Sequence, residues 1–170
     1  MDDVTLGKLE RGWLRDLWKR EDTHFTPWLA LEPNIALLAE ALGLGQLEDV
    51  QTEVPVGDFR LDLLARDTQT DTLVAVENQF WGGDHRHLGQ LLTYAAGVSS
   101  QASKRQVFVW IAEEIKDEHR NALDWLNRVT EPNVGFFGVV LELWRIGASP
   151  FAPRFNIVSR PNDWQKKLAQ

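Results

Sequence analysis

The sequence predicts an α/β fold, a central mixed β-sheet flanked by helices. Short apolar and β-branched runs recur at residues 49–55, 58–66, 73–80, 106–112 and 134–144. Segments with a helical apolar period precede and separate them. Hydrophobic residues make up 44% and charged residues 25% of 170 positions, which suits a packed core in a chain slightly longer than one typical domain of roughly 150 residues. No repeat or low-complexity linker divides the chain. Residues 1–170 are therefore expected to form a single domain, with a helical N-terminal segment over about 6–44.

Taken in order, residues 6–20 place Leu6, Leu9, Trp13, Leu14 and Leu17 at helical spacing. Lys8, Arg11, Arg15, Lys19 and Arg20 make the other faces locally basic. Thr26-Pro27 reads as an N-cap followed by proline in the first turn, and the helix runs to Gly43 or Gly45 with a break near Pro33. Strands follow at 49–55, 58–66 and 73–80, the last two joined by the polar turn Thr68–Thr72. A helix over 85–99, a strand over 106–112, a helix over 115–129, a strand over 134–144 and an extended piece near 154–160 complete the order.

Composition excludes several chemistries. There is no cysteine, so disulfides, thiolate metal sites and cysteine nucleophiles are absent, and a reducing, cytoplasmic setting is the simplest expectation. The first residues carry Asp2 and Asp3 without an apolar run, so no signal peptide is read, and no stretch is apolar enough to suggest a membrane span. The formal charge of −7 leaves no global basic field, so any polyanion must be met by a local patch. Binding is then expected to be weak and salt-sensitive unless a metal and the basic first segment compensate.

The chemistry concentrates on the hairpin 58–66/73–80. Asp62 lies between leucines in Arg-Leu-Asp-Leu-Leu, and Glu77 closes the run Val-Ala-Val-Glu; each is costly in an apolar strand unless paired or bound to a cation. Alternation puts Glu77 and Gln79 on the face of Ala75, with Val74, Val76, Asn78 and Phe80 on the other. Two acids on neighbouring strands offer hard oxygen ligands for Mg²⁺ or Mn²⁺, and Gln79 projects on the same side to hydrogen-bond a water there. The competing reading is a pair of acids satisfied by Arg60, Arg66 or a backbone donor. No lysine or arginine on the strand of Glu77 supports that alternative.

Asp62 followed fifteen positions later by Glu77-Asn78-Gln79, and then by Gln90-Leu-Leu-Thr-Tyr94 on a helix, resembles the PD-(D/E)XK nuclease superfamily and its RecB-like branch with a Gln-x-x-x-Tyr motif. The stretches Asp84–Gly97 and Phe25–Ala30 are similar to an uncharacterised bacterial group of that superfamily, with similarity extending through Trp144-Arg-Ile-Gly and Pro161–Trp164. The resemblance implies a restriction-endonuclease-like core and metal-dependent, endonuclease-like hydrolysis of DNA phosphodiesters. Asp62 and Glu77 would hold the ion, with the carbonyl of Val76 or Asn78 as a further oxygen. Gln79 stands where the family pattern has lysine and keeps only its orienting role. Gln90 and Tyr94 would donate to the nucleic-acid backbone or brace the ligands. Glu40 is the candidate for the acid that members add from the first helix, with Glu53 behind it. The alternative is a catalytically inactive module of that fold that binds nucleic acid or a partner protein. Cutting both strands favours a homodimer, and similar proteins look able to carry a further C-terminal region.

His85 and His87 diverge by about 200° on a helix and are not expected to share one ion. Asp84 reads as a cap, Arg86 and His87 as nucleic-acid contacts, and Trp81 as a ring able to stack on a base. Lys8, Arg11 and Arg15 are the remaining candidate contacts to DNA. His119 is expected on a solvated helix face, and Trp110, Trp125 and Trp144 in the core.

Overall fold

The computed structural model describes residues 3–80, 85–99 and 104–162. Its centre is one seven-stranded mixed sheet, built from β1 (Leu9–Gly12), β2 (Leu47–Val56), β3 (Phe59–Asp67), β4 (Thr72–Gln79), β5 (Gln106–Ala112), β6 (Val134–Ile146) and β7 (Ala152–Ser159). The strand path is β1-β6-β5-β4-β3-β2, and β7 pairs with the other edge of β6. β2, β3 and β4 form an antiparallel meander, whereas β4, β5 and β6 run parallel. Parallel neighbours need crossovers, which α4 (Arg86–Ser99) and α5 (Asp117–Val129) provide. The expected central mixed sheet with flanking helices is present.

Each face of the sheet has its own core. On one side Leu88 and Leu91 of α4 and Leu123 of α5 pack with Ala75, Phe108, Trp110 and Phe136. On the other, α2 (Thr26–Ala30) and α3 (Glu32–Leu42) pack on Leu63, Val74, Val76 and Val109. α3 buries Ile35, Leu38, Ala39 and Leu42, a stripe at i, i+3, i+4 and i+7. It stops at Gly43, whose left-handed backbone (φ 74°) lets the Leu44 N–H donate to the Ala39 carbonyl at 2.9 Å.

The N-terminal segment departs from the predicted helix. Residues 9–12 are β1, paired antiparallel with β6 from Leu9↔Ile146 to Gly12↔Leu143, and only Leu14–Leu17 (α1) is α-helical. β6 is thirteen residues long and outruns β5, so its last residues present an open edge that the early chain completes. Tertiary pairing there overrides a local helical period. The break predicted near Pro33 falls at Leu31, between α2 and α3. Thr26 is not the cap: Phe25 precedes the helix, after a π-helical turn at Glu21–Phe25, and the Thr26 hydroxyl serves Asn78 instead. Trp110 is buried, but Trp125 is 54% exposed on the outer side of α5. His119, expected in solvent, is buried and takes a hydrogen bond with His85 (Nε2 to Nδ1, 2.9 Å) beside the Trp110 ring. The apolar period of α5 did not reveal it because a histidine occupies a core position of the helix.

α5 is tied to β6 by one side chain. Asn127 Nδ2 donates to the Phe136 carbonyl (2.9 Å), and Asn127 Oδ1 accepts from the Phe136 N–H (2.8 Å). Asn127→Ala leaves both backbone groups unpartnered in a partly buried position, at a cost of about 1–3 kcal/mol. The thermal midpoint should fall by about 2–4 °C for each kcal/mol. Calorimetry of the variant checks this, and an unchanged midpoint would contradict it.

Candidate metal centre

β3 and β4 pair from Leu63↔Val76 to Asp67↔Thr72, and the ladder ends there, one residue before Asp62 and Glu77. Beyond it the Asp62 side chain takes over: its Oδ2 accepts the Asn78 N–H at 2.7 Å. Asn78 is tied on both sides of the sheet, since its Nδ2 donates to Thr26 Oγ1 (2.9 Å) in the opposite core. That double attachment fixes the backbone of β4 between Glu77 and Gln79.

Glu77 is 1% exposed. Its Oε1 accepts from His87 Nδ1 of α4 (3.1 Å), while its Oε2 is buried without a hydrogen-bond partner among the described residues. One ligand atom each from Asp62, Glu77 and His87 lies within 4.8 Å of the others. Asp62 and Glu77 meet His87 on the α4 side of the sheet, with Gln79 two residues beyond Glu77; strict alternation fails on β3, where Leu61 joins the α4-side core while Leu63 and Ala65 join the opposite one. Neither acid forms an ion pair with lysine or arginine among the described residues. Arg66 pairs with Asp71, which Lys104 also contacts, and Arg60 is exposed.

The electrostatics follow from that arrangement. Burial, and then the charge of Glu77, push the Asp62 carboxyl up to about 8, against the pull of the Asn78 N–H. Burial also raises Glu77, opposed by its hydrogen bond from His87. That same hydrogen bond holds His87 above its ordinary value. The donor set fits a divalent cation: two carboxylates and an imidazole converge, one buried carboxylate oxygen has no donor, and the acids repel each other in a dry place.

Two further acids border the triad. Glu53 stands across from Asp62, between the pairs Thr52↔Leu63 and Val54↔Leu61, in a left-handed backbone conformation (φ 53°); the register of β2 with β3 is unbroken there and shifts only between Glu48 and Gln51. Its Oε1 is buried without a hydrogen-bond partner, and its charge adds to the rise at Asp62. Glu21, which the sequence reading did not single out, accepts the Phe80 N–H (2.8 Å), and its charge raises both Glu77 and His87. Its only sequence signal was an acid between the basic segment 6–20 and Thr26-Pro27, with nothing local to tie it to β4.

Glu40 does not join them. It is exposed, and α3 covers the opposite face of the sheet from Glu77, with Leu38, Ala39 and Leu42 taking the inward positions. Gln79 is 4% exposed and two residues beyond Glu77 on the same face. Gln90 is half-buried one turn after His87, and Tyr94 is buried with its ring edge-on to Phe108 (6.3 Å between centroids). Burial raises the Tyr94 hydroxyl. His87, expected at nucleic acid, turns inward to Glu77, whereas His85 turns to His119, so the two histidines diverge as the helical angle requires. Arg86 is exposed. Trp81 and Asp84 lie outside the described residues.

A cavity of about 890 Å³ opens next to Gln79, where β6 exchanges β5 for β1 as its neighbour. Arg11, Trp13 and Arg15 line one wall, and Trp110, Glu113 and Lys116 another. Arg11 and Arg15 thus share a cavity lining with Gln79, reached from a strand and a short helix, whereas Asp62 and Glu77 are not part of that lining. Lys8 is exposed before β1 and is not part of this lining.

Two solved structures align with the chain. A repair endonuclease from Pyrococcus abyssi matches at 12% identity and a TM-score of 0.45, over 61% of this chain and 43% of its own. Pyrococcus furiosus SfsA in complex with Ca²⁺ matches at 19% identity and a TM-score of 0.37, over 72% and 57%. The chain therefore spans about half the length of each. No protein-family model matches the sequence, and neither does any curated protein.

Without metal, Asp62, Glu77 and His87 all hold protons more tightly in the folded chain than in the unfolded one. The folded state then binds more protons between about pH 4 and pH 8, so stability from this site falls as pH rises through that window. In EDTA, thermal midpoints should drop from pH 5 to pH 8, and Asp62→Asn should flatten that slope. A slope identical to that of the wild type would refute the assignment.

Proposed function

We propose that this chain is a divalent-metal-dependent nuclease of the restriction-endonuclease-like type that hydrolyses phosphodiester bonds in DNA. The observation that carries the reading is the convergence of Asp62, Glu77 and His87 around a buried, partnerless carboxylate oxygen of Glu77. A hydrogen-bonded structural acid would be expected to have that oxygen satisfied. Mg²⁺ or Mn²⁺ suits the two hard oxygens, and such an ion supplies positive charge to the phosphoryl oxygens as the bond to the leaving group breaks.

The side chains around the site have separate tasks in this reading. Asp62 and Glu77 hold the ion, and His87 either completes the set or keeps Glu77 oriented from α4. Gln79 lies on the same face and orients the attacking water through its carboxamide, contributing no charge where a lysine would. Gln90 and Tyr94 brace α4 one and two turns beyond His87. Arg11, Arg15 and the exposed Arg86 supply local cations for a chain whose net charge is −7. Cutting both strands of a duplex requires two such sites, which a homodimer provides. A cytoplasmic setting agrees with the absence of cysteine. Among the described residues, no helix is long and apolar enough to cross a membrane.

The test is a Mg²⁺ and Mn²⁺ titration with plasmid and single-stranded DNA, comparing the wild type with Asp62→Ala and Glu77→Ala. Metal-dependent cutting that falls at least about a hundredfold in each variant is expected. Each variant should also lose the metal-induced rise in melting temperature. If the wild type cuts nothing, shows no metal-induced shift, and both variants melt at or above its temperature, the acids are structural. The chain is then a binding module of nuclease type.

A further inference from the structure

The cavity beside Gln79 has a composition that the acids alone do not explain. Its walls carry two indoles, Trp13 and Trp110, and three cations, Arg11, Arg15 and Lys116, against two acids, Glu113 and Glu114. Trp13 is 54% exposed, an unusual state for an indole, and the Arg11 guanidinium lies over its ring at 5.4 Å from the centroid. Arg11 also reaches Glu142 (3.9 Å) and the Trp144 ring (5.9 Å), so both Trp13 and its cation are positioned from β6. Trp110 is buried, and its Nε1 has no hydrogen-bond partner. Glu113 is already engaged, accepting the Leu14 N–H at 3.4 Å. The volume of about 890 Å³ is at the upper end of the range for sites that enclose a small organic ligand, roughly 300–1,000 Å³.

We propose that this cavity receives an unpaired nucleotide of the DNA strand being cut, which makes single-stranded DNA the preferred ligand; the inference rests on the nuclease reading above. An aromatic wall gains from a nucleotide only if it meets the flat face of a base, and a base inside a duplex has both faces covered by its neighbours. The cations meet the phosphates that flank that base. The alternative, a duplex held by its backbone, requires many phosphate contacts over an extended basic surface, which a chain with a net charge of −7 lacks. Gln79 belongs both to the face of Glu77 and to the cavity lining. A base seated against Trp13 therefore shares its cavity with Gln79, two residues along β4 from Glu77.

The experiment measures binding of a short fluorescein-labelled oligothymidylate, and of a duplex of equal length, by anisotropy in EDTA, where no cutting occurs. The variants are Trp13→Ala, Trp13→Phe and Lys116→Glu, with Asp62→Ala as the control that keeps the cavity intact. The expected result is tighter binding of the oligothymidylate than of the duplex. Trp13→Ala and Lys116→Glu should each weaken it about tenfold, with Trp13→Phe retaining most of the affinity. Because Trp13 is half exposed and Lys116 is exposed just before α5, both variants should fold, and melting verifies it. Equal affinity for the duplex, or unchanged oligothymidylate binding in Trp13→Ala and Lys116→Glu, overturns the proposal. If those two variants bind as the wild type does while Asp62→Ala alone stops cutting, only the cavity assignment fails. If binding depends on the cavity but no metal supports cutting, the nuclease reading fails and the single-strand site stands.

Discussion

Two carboxyl groups held side by side in a dry part of a β-sheet, with no lysine or arginine among the described residues paired to either, set the terms for the rest of this molecule. Such a pair is destabilising while both acids are ionised. The fold tolerates it by supplying hydrogen-bond donors: the Asn78 N–H to Asp62 and the His87 imidazole to Glu77. Both donors are fixed by secondary structure, one by β4 and one by α4. Neither neutralises the second oxygen of Glu77. The scaffold therefore keeps in place a charge distribution that a bound divalent ion relieves, and the same distribution raises the proton affinity of the site in its absence.

The sheet provides the opening as well as the acids. A regular antiparallel ladder would have spent the Asn78 N–H on a β3 carbonyl and left Asp62 to find another partner. By ending the β3–β4 ladder at Leu63↔Val76, the fold turns a backbone donor into a carboxylate anchor. On β2, opposite Asp62, Glu53 holds a left-handed backbone conformation (φ 53°) although its pairing register with β3 is continuous there.

Much of this was legible in the residues. Period-two alternation put Glu77 and Gln79 on one face of β4, the cost of an acid between leucines singled out Asp62 on the neighbouring strand, and the angle between successive helical positions separated His85 from His87. Other features depended on tertiary structure. Residues 6–20 carry a helical period, but the open edge of β6 claims residues 9–12 as a strand. Glu40 sits on a helix of the expected kind, yet that helix covers the wrong face of the sheet, which no local pattern reports. His119 and Trp125 exchanged their expected surroundings because a single helix turn decides which of them faces Trp110. Glu21 could not be read because its neighbours at the site, Phe80 and Glu77, are more than fifty residues away in sequence.

The exchange of neighbours along β6 has a consequence for assembly of the chain. Leu9 pairs with Ile146 and Gly12 with Leu143, so one wall of the cavity is set by some of the earliest residues and its backing by residues far down the chain. Contacts of such long sequence separation form late, because the loop that joins them must first be closed. During synthesis the segment carrying Arg11, Trp13 and Arg15 is made well before the strand it needs, and it stays unpaired until β6 emerges. The acids on β3 and β4 are adjacent in a local hairpin and can come together earlier. The acid cluster and the cavity are thus acquired at different stages of folding.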